Sequence, residues 1–129
     1  MLREKLSNSF RISKTRMNKI IQEKIQKQKE YIEKARAYVI NLSKKLEIIE
    51  AFVIGSIARG DFNEASDIDV VIIAKNLPAH PLKRMNLLYE DIPSLVEPKA
   101  YTLEEFQKLI QKKNPIAEEV QKKGIKIYP

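Results

Sequence analysis

Apolar side chains recur along the first third of the chain at helical spacing. From Met17 onward, Ile21, Ile25, Ile32, Ala35, Val39, Leu42 and Leu46 follow at steps of three, four or seven residues, which lines one face of an α-helix. Neither Gly nor Pro interrupts this run, so the spacing predicts one continuous amphipathic helix of roughly 45 Å. Residues 1–14 are polar with scattered apolar positions and read as a frayed end or a short helix.

Past residue 47 the pattern changes. "EIIEAFVIGS" predicts a strand ending at a glycine, and "SDIDVVIIA" a second strand. "PLKRMNLLYEDI" predicts a helix with Leu82, Met85, Leu88 and Tyr89 on one side. "SLVEPKAYT" predicts a third strand, and its Pro98 argues for an edge position or a bulge. Thr102 and Glu105 form a capping box that opens the helix "LEEFQKLIQKK". Asn114-Pro115 caps and starts another helix, which stops at Gly124, and "IKIY" offers a short closing strand. The fold class is therefore mixed α/β. A small sheet of three to four strands with flanking helices occupies residues 48–129, preceded by a basic helical extension over residues 1–47.

Composition narrows the chemistry. Apolar residues make up 43% of the chain, enough for a core, and no run approaches the ~18 residues of a membrane span. The N-terminus shows no apolar stretch with a small-residue cleavage site, so the reading is a cytoplasmic protein. The absence of cysteine excludes disulfides, zinc fingers, iron–sulfur clusters and thiol nucleophiles. The single histidine, His80, stands in "LPAHP" and reads as an exposed loop residue. Any metal must then bind mainly through oxygen, which points to magnesium or manganese. The net charge of +7 belongs wholly to residues 1–50, with 13 Lys and Arg against 6 Asp and Glu, while residues 51–129 hold 11 of each. A basic helix binds nucleic acid or an acidic partner, or is simply a solvated face; sparse aromatic interleaving argues against nucleic acid.

The candidate chemistry lies in "AFVIGSIARGDFNEASDIDVVIIA", residues 51–74. Gly55 and Gly60 match the glycine spacing of a P-loop, but Asp61 and Phe62 follow where Lys and Ser or Thr are required. The P-loop reading fails. The aspartates give a better account. In an extended segment residues two apart share a face, so Asp67 and Asp69 project together. Crowded carboxylates repel unless a cation lies between them, and magnesium does this while keeping positions open for substrate phosphates. The strand-end glycine lets backbone amides approach phosphate, and Ser56 adds a hydroxyl.

A Gly-Ser at a strand end, ten residues, then D-x-D opening an apolar strand is a specific arrangement. On these residues the chain resembles the minimal nucleotidyltransferases of the DNA polymerase β-like nucleotidyltransferase superfamily. Gly55, Ser56, Asp67 and Asp69 meet the pattern G-S-x10-D-x-D, and Ala58, Arg59 and Gly60 meet the frequent A-R-G. The resemblance covers roughly residues 48–129. It implies that Gly55 and Ser56 bind the triphosphate and that Asp67 and Asp69 hold magnesium. A third catalytic and metal-binding carboxylate is expected on the next strand, where Glu97 is the candidate and Asp91 the competitor. Arg59 either contacts the triphosphate or pairs with Asp61 in the turn.

Larger relatives append domains that hold the acceptor, whereas here the catalytic unit is followed by little beyond a capped helix. The acceptor is therefore expected on another chain or a second copy. Minimal nucleotidyltransferases commonly pair with all-helical HEPN proteins, as antitoxins that transfer AMP to the partner. The resemblance thus implies magnesium-dependent transfer of AMP from ATP, or of another NMP from its NTP, to a protein hydroxyl by direct in-line attack. Two competing readings are a non-catalytic nucleotide- or partner-binding module of the same fold, and a nucleic-acid-binding protein using the basic helix. The long helix exceeds what the domain beside it can cover. Its stripe of Ile21, Ile25, Ile32, Val39 and Leu42 is accordingly expected to bury against a second copy or a helical partner, the alternative being packing on its own sheet.

Overall fold

The apolar stripe of the N-terminal segment is used in two different ways. The computed structural model describes the backbone of residues 2–129 and the side chains of residues 14–129. The first helix, α1 (Leu2–Leu42), spans 41 residues, about 60 Å at 1.5 Å per residue. Residues 2–14, read as a frayed end or a separate short helix, are thus continuous with α1. Its C-terminal half lays Tyr31, Ala35, Tyr38, Val39 and Leu42 into the core. Its preceding half leaves Met17, Ile20, Ile21 and Ile25 exposed, at 61%, 63%, 49% and 48% of their surface. The expectation that Val39 and Leu42 meet another chain is thus overturned, because the protein's own sheet covers them. The helix also ends four residues earlier than the periodicity implied. Residues 43–46 form a turn in which the Leu46 N–H donates to the Leu42 carbonyl at 3.0 Å, and Leu46 is still buried.

The remaining elements are β1 (Ile48–Ile54), α2 (Gly55–Arg59), β2 (Ile68–Ala74), α3 (Pro81–Tyr89), β3 (Val96–Tyr101), α4 (Leu103–Gln111), α5 (Pro115–Lys123) and β4 (Ile125–Tyr128). The strands form one mixed sheet in the order β3-β2-β1-β4. β1 pairs antiparallel with β2 and β4, and β2 pairs parallel with β3 through the α3 crossover. β3 lies at the edge, where Pro98 lacks only a donor that no further strand would use. β2 is central and buried on both faces except at Asp69, which is why it reads as a near-continuous apolar run.

Two apolar layers flank the sheet. Ile68, Val70, Ile72 and Ala74 of β2 meet α1 together with Ala51 and Val53. Val71 and Ile73, on the alternate positions, meet Ile54, Phe106, Ala117 and Val120. A register shift between Ile48 and Glu50 lets Ile48 and Ala51, three residues apart, share the α1 face. Each fully buried Val or Ile in these layers contributes about 1.5–3 kcal/mol. Tyr38 joins α1 to α3 by donating its hydroxyl hydrogen bond to the Leu88 carbonyl at 2.7 Å. Burial, with Tyr89 nearby, pushes that hydroxyl's pKa well above the ordinary tyrosine value, so it remains a donor.

The local stop signals act as their chemistry dictates, with two differences. His80 caps α3 by accepting the Leu82 N–H on Nδ1 at 3.2 Å, ahead of Pro81, and α3 ends at Tyr89, short of Ile92. Gly124 follows α5 in an extended conformation instead of a left-handed one; glycine is needed there because a Cβ would lie 2.6 Å from the Val120 carbonyl. Asn114 caps α5 through the Ile116 N–H.

The α4 capping box is complete. Thr102 Oγ1 accepts from the Glu105 N–H at 3.1 Å, and Glu105 Oε1 accepts from the Thr102 N–H at 2.8 Å. Arg84 also donates to Glu105. Burial works to raise the Glu105 carboxyl's pKa, but the Thr102 hydrogen bonds and Arg84 outweigh it and hold it below the ordinary 4.5. Thr102→Ala should lower stability by about 1 kcal/mol in urea titrations at neutral pH. A depressed native pKa adds stability above the unfolded pKa and loses it as pH falls through the folded one. The deficit of Glu105→Gln should therefore be greatest near neutrality and shrink below pH 4.5, as denaturation midpoints across that range would show.

Candidate active site

Where β1 ends, the chain turns sharply enough to require glycine. Gly55 has φ +74°, and Gly60, which closes the five-residue α2, has φ +85°. Both lie in the left-handed region that side chains resist. The Gly60 N–H returns to the Ser56 carbonyl at 2.9 Å, holding Ser56, Arg59 and the turn between them as one unit. Gly55 has a second reason to lack a side chain. Ile54 is paired with Asp69 across the β1–β2 ladder, and a Cβ on Gly55 would stand 2.6 Å from Asp69 Oδ2. The carboxylate sits directly against the glycine.

Sheet pairing places the other acidic residues. Asp67 is exposed just before β2, and Asp69 is half-buried two residues later, within the strand. The parallel ladder sets Glu97 of β3 opposite Asp69, so Glu97 is the acidic residue on the neighbouring strand. Asp91 lies elsewhere, in an ion pair with Lys45 at 3.2 Å beyond the end of α3. Lys99 shares the face of Glu97 and brings its Nζ to 3.2 Å from Asp69 Oδ1. Among the described residues no three acidic or histidine side chains are grouped so as to hold a metal ion. Lys99 supplies the counter-charge to Asp69, and Asp67 and Glu97 are exposed.

The remaining candidates divide cleanly. Arg59 is exposed, bridging Asp61 at 3.3 Å and Glu119 of α5 at 3.0 Å. Lys75 pairs with Glu47 at the far end of β2. Tyr101 and Phe106 belong to the α4–α5 layer, their ring centroids 6.2 Å apart.

Residues 38–129 match the model of the family described as "Polymerase beta, Nucleotidyltransferase". The chain belongs to this nucleotidyltransferase family. It is also 34% identical over 76 residues to a protein of Methanocaldococcus jannaschii described as a "putative protein adenylyltransferase"; the match takes in 50% of this chain and 52% of the relative, so the chain spans about half the length of that curated protein. In fold it is similar to a crystal structure from Sulfolobus solfataricus described as a "putative nucleotidyltransferase" (TM-score 0.61, 21% identity, covering 80% of this chain and 84% of that one).

The family match begins within α1, yet an earlier part of that helix reaches the loop of the candidate site. Gln28 Nε2 donates to the Ile57 carbonyl at 2.7 Å and approaches the Ala58 carbonyl at 3.5 Å. The Lys24 ammonium lies 5.0 Å from the centroid of Phe62, whose ring packs edge-on against Tyr31. Sequence reasoning missed both Gln28 and Lys99. A signal for Gln28 existed: it is a polar residue at a stripe position between Ile25 and Ile32. Lys99 carried none, because its approach to Asp69 depends on parallel pairing.

Gly55→Ala should lower stability by about 1–3 kcal/mol through backbone strain, beyond any clash with Asp69. Adding Asp69→Ala should return the steric share and leave the backbone share, a coupling that a double-mutant cycle of denaturation free energies measures.

Proposed function

We propose that this nucleotidyltransferase transfers AMP from ATP to a hydroxyl of a partner protein. The observation that carries the reading is the seating of Asp69 between the Gly55-Ser56 turn and the Glu97 strand. That seating brings the Gly55 turn and two acidic residues together at one end of the sheet, which supports reading Ser56 and the turn as the phosphate site. The acceptor hydroxyl attacks the α-phosphorus as the bond to pyrophosphate breaks, and its proton passes to a carboxylate of this cluster. Ser56 and the turn amides hold the triphosphate, and Arg59 is within the same unit to contact it.

The donor types suit a hard divalent ion: Asp69 and Glu97 pair across adjoining strands and Asp67 immediately precedes β2, although among the described residues their side chains are not drawn together. These three would hold magnesium or manganese, which supplies neutralisation of the phosphate charge when bound. The protein acceptor is supported by the description of the archaeal relative and by the exposed half of α1. That half leaves Met17 exposed and presents Ile21 and Ile25 in a groove of 250 Å³ lined also by Lys24, Gln28, Gly60 and Phe62. Its charge would attract an acidic helical partner, and an antitoxin paired with a HEPN-type protein is the form this reading takes. A second reading, nucleotide sensing without turnover, is favoured by Lys99, which already provides a cation to Asp69; an assay for pyrophosphate release in the presence of the acceptor separates the two.

Calorimetric titration should show ATP binding that requires magnesium or manganese, with the metal-dependent part abolished in Asp67→Asn/Asp69→Asn. Equal affinity in EDTA would overturn the metal reading. Ile21→Glu/Ile25→Glu should leave folding and ATP binding unchanged, because both side chains are exposed, while reducing partner association at least tenfold in sedimentation. Retained association would remove α1 from the interface.

A further inference from the structure

α2 is too short to satisfy its own backbone. In a five-residue helix the last carbonyls have no N–H donor one turn on; the Ser56 carbonyl is served by the Gly60 N–H. The Ile57 and Ala58 carbonyls take their donor from Gln28 of α1, a residue outside the family-matched segment. Gln28 is half-buried, and its amide nitrogen would lie 3.8 Å from a Cβ on Gly60. It therefore stands against the second left-handed glycine as well as the carbonyls before it. On either side of it along α1, Lys24 and Tyr31 hold Phe62, so the helix grips the site loop at successive points with Gln28 in the middle.

We infer that Gln28 is a positioning residue for the nucleotide turn, fixing residues 55–60 so that Ser56 and the turn amides are preorganised for the triphosphate. The inference rests on the proposed nucleotide site for its consequence, but the anchoring itself does not. The amide donor is the operative feature: a carbonyl facing an apolar or anionic group in this half-buried place would lose its partner. Preorganisation then appears as nucleotide affinity, since a turn that must be ordered at the moment of binding gives up part of the binding free energy.

Three proteins test this: wild type, Gln28→Glu, which keeps the shape without the N–H, and Gln28→Lys, which restores a donor on a long stem. Gln28→Glu should weaken binding of ATP with magnesium by about three- to tenfold, the factor one hydrogen bond is worth. It should also speed hydrogen exchange of the amides of residues 55–60 while leaving those of β1 and β2 unchanged. Gln28→Lys should reverse both effects. Unchanged exchange and affinity in Gln28→Glu would overturn the inference. So would faster exchange throughout the sheet, or a Lys variant as defective as the Glu variant, since either makes Gln28 a packing residue. Should wild type bind no ATP, the proposed function fails, while the exchange contrast still decides whether Gln28 anchors the turn.

Discussion

The close approach of Gly55 to Asp69 is the constraint on which the rest of the site depends. A Cβ at residue 55 would come within 2.6 Å of the carboxylate oxygen, so the antiparallel register of β1 and β2 and the left-handed turn must be met together. That contact makes a polar end to an otherwise apolar sheet. β2 can be buried on both faces along the rest of its length because its one half-exposed position, Asp69, lies where the strand emerges beside the turn. Adding β3 in parallel sets Glu97 and then Lys99 on the same face. The sheet order thus assembles the charged cluster without any loop having to reach for it.

Electrostatically the cluster is held in a readily exchanged state. The Asp69–Lys99 pair keeps about a quarter to a third of each side chain exposed, 26% and 30%, and ion pairs of that exposure contribute about 0–1 kcal/mol. Lys99 can therefore leave Asp69 at small cost. Arg59 is similarly placed, with exposed partners at Asp61 and Glu119. The structural scaffold, by contrast, relies on burial: the described side chains include no buried polar atom without a hydrogen-bond partner.

α1 joins these two regimes. Its C-terminal half is core, interlocked with the sheet through Ala35, Val39 and Leu42. One turn before, Tyr31 and Gln28 touch the site loop, and beyond them the same stripe runs exposed through Ile25, Ile21 and Met17. The family-matched segment begins at residue 38, so Gln28 and Tyr31 precede it. A single rigid element therefore spans from core to site to exposed surface.

Much of this was legible in the residues themselves because it rests on local chemistry. The capping box at Thr102 and Glu105, the Asn114-Pro115 start, the apolar runs of β1 and β2, and the strand-end Gly55-Ser56 before Asp67 and Asp69 depend on neighbours in sequence. The tertiary structure decided what local pattern cannot specify. It chose which part of α1's uniform stripe would be covered, burying Val39 and leaving Ile21 exposed, because the sheet is shorter than the helix. It made His80 a cap, since a side chain's partner depends on where the next helix begins. It set Glu97 opposite Asp69 and brought Lys99 against that carboxylate, because strand register is fixed by packing between segments distant in sequence. For the same reason Gln28 became the donor to α2: only folding brings a helix and a turn 29 residues apart within hydrogen-bonding distance.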